Sequence, residues 1–205
     1  MMKLSLIEKY FTPNRILDVG ANIGQFYTQA KNTWPESYIF SIEANPDCEE
    51  HIKELHTNYK ICLLSKDKNE YKYYKRKTPP LQATGNSIYR EMTNYFNENQ
   101  VEEVNYNAFT LDELFSEEEF DLIKIDTQGS ELDIMKGGPN LVSKAKGVLL
   151  EINLGMPYNQ DAPGANEVFQ YMEDIGFERK DIIEEHNKNA WPHQQDIIFI
   201  NTNEK

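Results

Sequence analysis

The chain has 205 residues, of which 39% are apolar and 27% charged, and its formal net charge is −13. That length suits one domain spanning 1–205 and is enough to bury a core. So acidic a chain argues against a nucleic-acid partner, because affinity for the phosphate backbone comes largely from Lys and Arg contacts.

In chain order, the first stretch, MMKLSLIEKYFTPNR, has neither a long apolar core nor a small-residue cleavage site. No later stretch reaches the ~18 apolar residues of a membrane span, so a cytoplasmic location with no membrane partner is expected. RILDV (15–19) reads as a short apolar strand. A helix over 24–34 carries Phe26, Ala30 and Trp34 at helical spacing and stops at Pro35. YIFSIE (38–43) is a second strand. Asn45 caps a helix with Pro46 at its first position, running to about His56. YKICLL (59–64) is a third strand. Cys48 and Cys62 belong to no CxxC or Cys/His cluster, so neither a disulfide framework nor a structural zinc is expected.

The segment 66–108 breaks the pattern and reads as a variable insertion near the active site. YKYY suggests an edge strand, TPPLQATGNS a loop, and VEEVNYNAF another strand. Regularity then returns. Thr110 caps a short helix, and DLIKID (121–126) is a strand followed by a helix from about Ser130. GVLLEIN (147–153) is the next strand, and a helix covers 165–175. FERKDII and residues 194–201 close the chain as two strands with no helix between them. The expected fold is α/β: a doubly wound, mostly parallel, seven-stranded Rossmann-like sheet with one antiparallel strand at the end. Ligands of such sheets bind beyond the carboxyl ends of the strands.

The loop LDVGANIGQF places Gly20, Asn22 and Gly24 after Asp18. A dinucleotide fingerprint G-x-G-x-x-G would need glycine at Asn22 and at Gln25. A P-loop is excluded, since no Gly-Lys-Ser/Thr follows. An acid two residues before the first glycine suits a ligand with an ammonium group and no phosphate, such as S-adenosylmethionine. Asp18 is then placed to attract the ammonium, directly or through water, and the glycines let the backbone approach the ligand. Glu43 ends the second strand, 19 residues after Gly24, where a carboxylate can accept both ribose hydroxyls.

ILDVGANIGQF, SIEANPD, TLDEL, DLIKIDTQGSELDIMKGG and LLEIN stand in the order found in one family. Over roughly residues 14–155 the chain resembles the FkbM family of S-adenosylmethionine-dependent methyltransferases, and IKIDTQGSEL is the most specific segment. The resemblance implies the class I methyltransferase fold and methyl transfer to a hydroxyl of a sugar or another small metabolite. It also places adenine near the end of the third strand, at Leu63, Leu64 and Ser65, and a variable segment with Asn86, Ser87 and Arg90 over the active site.

Methyl transfer to an alcohol needs proximity and a base. Asp126 ends the fourth strand beside the glycine loop and is the candidate base. Gln128 is expected to orient substrate or cofactor, and Gly129 to permit a tight turn. Glu151 and Asn153 end the fifth strand and form an oxygen-rich trio with Asp126. Hard oxygen ligands suit Mg²⁺, and some catechol-type O-methyltransferases hold magnesium at this corner. The sequence permits the ion without requiring it, and hydrogen bonding to substrate is the favoured use. Lys124, mid-strand among apolar residues, needs a buried partner, expected to be Glu151 in a structural ion pair. KYYKRK (72–77) is a basic, aromatic patch, favoured as an edge strand protected by lysines over a substrate site. His193 is expected at the surface. Two rival readings stay open: an NAD(P)-dependent oxidoreductase, and a non-catalytic cofactor-binding scaffold with the same fold.

Overall fold

A computed structural model describes residues 2–80, 82–155, 158–186 and 193–203. Strands β1 (Arg15–Val19), β2 (Tyr38–Glu43) and β3 (Tyr59–Ile61) pair in parallel. They are connected through α1 (Gln25–Thr33) and α2 (Glu49–Leu55). Asn45 accepts the Asp47 N–H at 3.1 Å, and a 3₁₀ turn over Pro46–Cys48 precedes α2.

The third strand does not continue to residue 64. β2 has ended at Glu43, whose carbonyl takes the Cys62 N–H at 2.9 Å. Beyond that point the main sheet offers no partner. Leu63–Leu64 becomes β4 and pairs with Ala108 and Phe109 of β6 (Val101–Phe109). β6 also pairs antiparallel with β5 (Glu70–Arg76), so the insertion builds a second sheet of order β4-β6-β5.

After β6 come α3 (Leu111–Leu114), β7 (Leu122–Ile125), α4 (Glu131–Lys136) and α5 (Pro139–Ser143). Then follow β8 (Gly147–Asn153), α6 (Ala165–Asp174), β9 (Phe177–His186) and β10 (Gln194–Asn201). Thr110 caps α3 through the Glu113 N–H. The helix expected from Ser130 breaks at Gly137 and Gly138. A Cβ at Gly137 would stand 2.2 Å from the Ser65 carbonyl, and one at Gly138 would stand 2.5 Å from Leu111. The main sheet has seven strands in the order β3-β2-β1-β7-β8-β10-β9. The antiparallel strand is β10, and it lies one place in from the edge, between β8 and β9.

Alternation along the strands splits the core between the two faces. Ile16, Leu122, Leu149 and Ile198 pack toward α1, where Phe26, Ala30 and Trp34 form the buried stripe. Leu17, Ile123, Leu150 and Ile197 pack with Leu111, Leu132, Val142 and Met172 of the opposite helical layer. Each such large side chain contributes roughly 1.5–3 kcal/mol by leaving water. No helix among the described residues is long and apolar enough to cross a membrane.

The basic patch is not a simple solvated edge. Lys72 is exposed and pairs with Glu103, as a guarded edge requires. Lys75 and Arg76 are buried instead. Lys75 Nζ stands 2.5 Å from Asp47, and Arg76 donates to the Thr78, Pro79 and Tyr95 carbonyls. Ser87 covers the outer edge of β5 at Tyr74 through two backbone hydrogen bonds.

Candidate functional site

A cavity of about 330 Å³ opens at the carboxyl ends of β1, β2, β7 and β8, a size that takes a small molecule. The β1–α1 loop forms one wall with Val19, Gly20, Ala21, Asn22 and Gln25. Ile42, Glu43, Leu63, Leu64 and Tyr73 form a second, largely apolar wall. Lys124, Asp126, Gln128, Glu151 and Gln194 supply the polar end, and Asn86, Ser87 and Ile88 of the insertion cover it.

Glu43 is the polar side chain of the apolar wall. Its Oε1 accepts the Asn45 N–H and its Oε2 the Asn22 N–H, each at 2.8 Å. Burial pushes its pKa up, against those two hydrogen bonds. Each oxygen keeps a further acceptor position. Asn22 holds a left-handed backbone (φ 48°), and its Nδ2 ties the loop to the Gln82 carbonyl at 3.0 Å.

The two glycines are placed differently from each other. Gly20 has φ +79°, and a Cβ there would lie 1.8 Å from the Asp126 carbonyl oxygen. The end of β7 therefore demands the missing side chain, and Gly20 lines the cavity as well. Gly24 is the left-handed residue that opens α1 and faces Leu55, outside the cavity lining.

Asp18 also departs from its expected place. It is fully buried and absent from the cavity wall. Asp18 and Lys124 are direct cross-strand partners in β1–β7, so their side chains share a face. Lys124 Nζ stands 3.2 Å from Asp18, 3.5 Å from Asp126 and 2.9 Å from the Gly20 carbonyl. The partner of Lys124 is therefore Asp18, with Asp126 second, and not Glu151. Burial opposes the ammonium charge, but the two aspartates outweigh it and raise the Lys124 pKa.

At the polar end one amide joins two carboxylates. Gln128 Nε2 donates to Asp126 Oδ1 at 3.0 Å and to Glu151 Oε2 at 2.7 Å. Gln128 itself has φ 57°, so the turn at 128–129 is left-handed at both residues. Gln194 Nε2 donates to Glu151 Oε2 at 2.8 Å and to Tyr158 Oη at 2.8 Å, and Tyr158 donates to Gln128 Oε1. Burial, then the charges of Asp126 and Asp196, raise the Glu151 pKa well above the usual carboxylate range. Beneath the turn, Glu131 accepts the Thr127 N–H at 2.8 Å and the Gly129 N–H at 3.0 Å. Burial lifts its pKa to about 7 against those hydrogen bonds.

Of the remaining candidates, Ser87 donates to the Thr127 carbonyl at 3.1 Å and Asn86 accepts the Arg76 N–H at 3.0 Å, both at the cavity. Ser65 is buried behind Leu64, and Arg90 lies outside the lining. Asn153 lines a smaller recess beside Glu151, Tyr158 and Gln194. His193 pairs with Glu185 at 3.2 Å, away from the cavity. Sequence reading missed Tyr158 and Gln194. The signal for Gln194 was available: it begins the antiparallel strand, so it lies where the parallel strands end.

A sequence profile described as the methyltransferase FkbM domain matches residues 18–179. No curated protein matches the sequence significantly. Among solved structures, the fold is similar to methyltransferase FkbM from Methylobacillus flagellatus. That match has a TM-score of 0.56 and 14% identity, covering 90% of this chain and 43% of the other. It is also similar to precorrin-6y C5,15-methyltransferase from Geobacter metallireducens, with TM-score 0.52, 13% identity, and 97% and 87% of the two chains. A third is magnesium protoporphyrin IX methyltransferase from Synechocystis, solved with bound S-adenosylmethionine. Here the TM-score is 0.53 and the identity 9%, over 97% of this chain and 75% of that one. The chain thus spans less than half of the first of these proteins. At such identities the structures establish the fold, a class I methyltransferase fold. The profile match, covering most of the sequence, establishes that the chain belongs to the FkbM methyltransferase family.

Proposed function

We propose that the cavity binds S-adenosylmethionine and that the protein transfers a methyl group to a hydroxyl of a small metabolite or sugar. The observation that carries this reading is the meeting, at one cavity, of Glu43 and the Gly20–Asn22 loop with the Asp126–Gln128–Glu151 network. The donor set fits the cofactor. Glu43 would accept from the ribose, and Ile42, Leu63, Leu64 and Tyr73 offer apolar surface to a flat base. Asp18 would act at one remove, by holding Lys124 against the Gly20 carbonyl.

The bound cofactor supplies an electrophilic methyl carbon. The protein must then orient an alcohol and take its proton. Asp126 is the proposed base: it lines the cavity, and Gln128 and Lys124 fix its carboxylate. Glu151 supports it from behind through the shared Gln128 amide. That amide lies between the two carboxylates, and the proposed step is acid–base chemistry by these residues, which does not require Mg²⁺. Asn86 and Ser87 are placed to meet the acceptor.

Labelled methyl transfer from S-adenosylmethionine to a panel of sugars, polyols, phenols and amines tests the proposal. Transfer to hydroxyl acceptors is expected, lowered roughly 10²–10⁴-fold by Asp126→Asn, with cofactor affinity intact and no gain from added Mg²⁺. Transfer confined to amines, or unchanged in Asp126→Asn, would overturn the assignment. Cofactor binding with no transfer to any acceptor would favour a scaffold role.

A further inference from the structure

Beyond the cavity, toward the β9 edge, lies a second cluster of ligating side chains. Glu184 and His186 are two apart on β9, so they share a face, and Asp196 of β10 stands opposite Glu184. One ligand atom from each, two carboxylate oxygens and a ring nitrogen, lies within 4.8 Å of the others. His186 Nε2 stands 2.9 Å from Asp196 Oδ2. Two ligands at right angles around an ion with ~2.1 Å bonds stand about 3 Å apart, so His186 and Asp196 are spaced as two ligands of one ion, with Glu184 near enough to join them. The pairing of β10 with β9 shifts register directly after Asp196, an irregularity of the kind that re-aims side chains beside functional sites.

Charge points the same way. Asp196 is 1% exposed and stands in register with Glu151 of β8, and the charge of Asp126 also acts on it. Among the described residues, the cations that act on Asp196 include His186 and Lys124, and Lys124 also pairs with Asp18 and Asp126. A buried carboxylate beside two others calls for positive charge. A divalent ion supplies it while His186 stays neutral as a ligand. Glu184 and His186 are half-buried, whereas Asp196 is buried.

We propose that Glu184, His186 and Asp196 bind one divalent transition-metal ion of the zinc, cobalt or manganese type. A mixed imidazole–carboxylate set favours these over Mg²⁺ or Ca²⁺, which prefer oxygen alone. None of the three lines the cavity, and the proposal does not depend on the cofactor reading.

The test is titration of the full chain, freed of metal by a chelator, with Co²⁺, Zn²⁺ and Mg²⁺. Binding is followed by calorimetry and, for Co²⁺, by visible absorption. Because Asp196 is buried, the substitutions are His186→Gln and Glu184→Gln. One equivalent of Co²⁺ or Zn²⁺ per chain is expected, weakened at least about tenfold in each variant, with Mg²⁺ failing to compete at equal concentration. Absence of stoichiometric binding, or affinity unchanged in His186→Gln, would overturn the proposal and leave His186–Asp196 as an ion pair only. S-adenosylhomocysteine titrated into the same samples reports folding and the cofactor site, so a failure of either proposal is read separately.

Discussion

Lys124 is a single buried cation set between two carboxylates and a carbonyl. Lys124→Met leaves Asp18 and Asp126 without it, and removing one partner of a buried pair costs about 3–5 kcal/mol. Denaturant unfolding should show a loss of that size, partly recovered in Asp18→Asn/Lys124→Met; no loss would mean that the pair is not formed. Glu131 gives a pH signature. Its pKa rises from 4.5 unfolded to about 7 folded. Between those values the unfolded chain has released the proton and the folded one keeps it, so stability falls as pH rises through the window. The full shift corresponds to about 3 kcal/mol. Glu131→Gln should flatten that slope when unfolding is measured at pH 5 and pH 7. Individual roles of this kind were only partly legible. Asp18, Glu43 and Asp126 stand out in the sequence as strand-end or loop acids. That Asp18 turns to Lys124 depends on the β1–β7 register, which local sequence does not contain.

Elements were read more fully where their own residues decide them. The apolar runs of β1, β2 and β8 mark those strands because both faces are covered. The segment 59–64 was misread as one strand because its break depends on β6, some forty residues further on. The β1–α1 loop shows the same dependence: Gly20 is glycine because β7 ends against it. Gly20→Ala would place a methyl group in the Asp126 carbonyl and force a left-handed alanine, costing more than about 1–2 kcal/mol. The expected result is lowered thermal stability together with lost cofactor affinity; stability equal to the parent would contradict the contact. Gln194 does not stand at a carboxyl end, so a search of the parallel strand ends passes over it. It follows once the last strand is known to run antiparallel.

For the molecule as a whole, the seven-stranded order brings the ends of β1, β2, β7 and β8 to one cavity, while the insertion covers it with Asn86 and Ser87. The acidic charge fits this plan, since the proposed ligands include no phosphate backbone. On this plan the cavity would hold S-adenosylmethionine through Glu43. Isothermal titration with S-adenosylhomocysteine tests it most directly, on the parent chain and on Glu43→Ala. Micromolar binding is expected, weakened roughly tenfold to a hundredfold by loss of a charged acceptor. A folded parent chain that binds no S-adenosylhomocysteine, or that binds NADH in its place, would overturn the assignment of this cavity to S-adenosylmethionine.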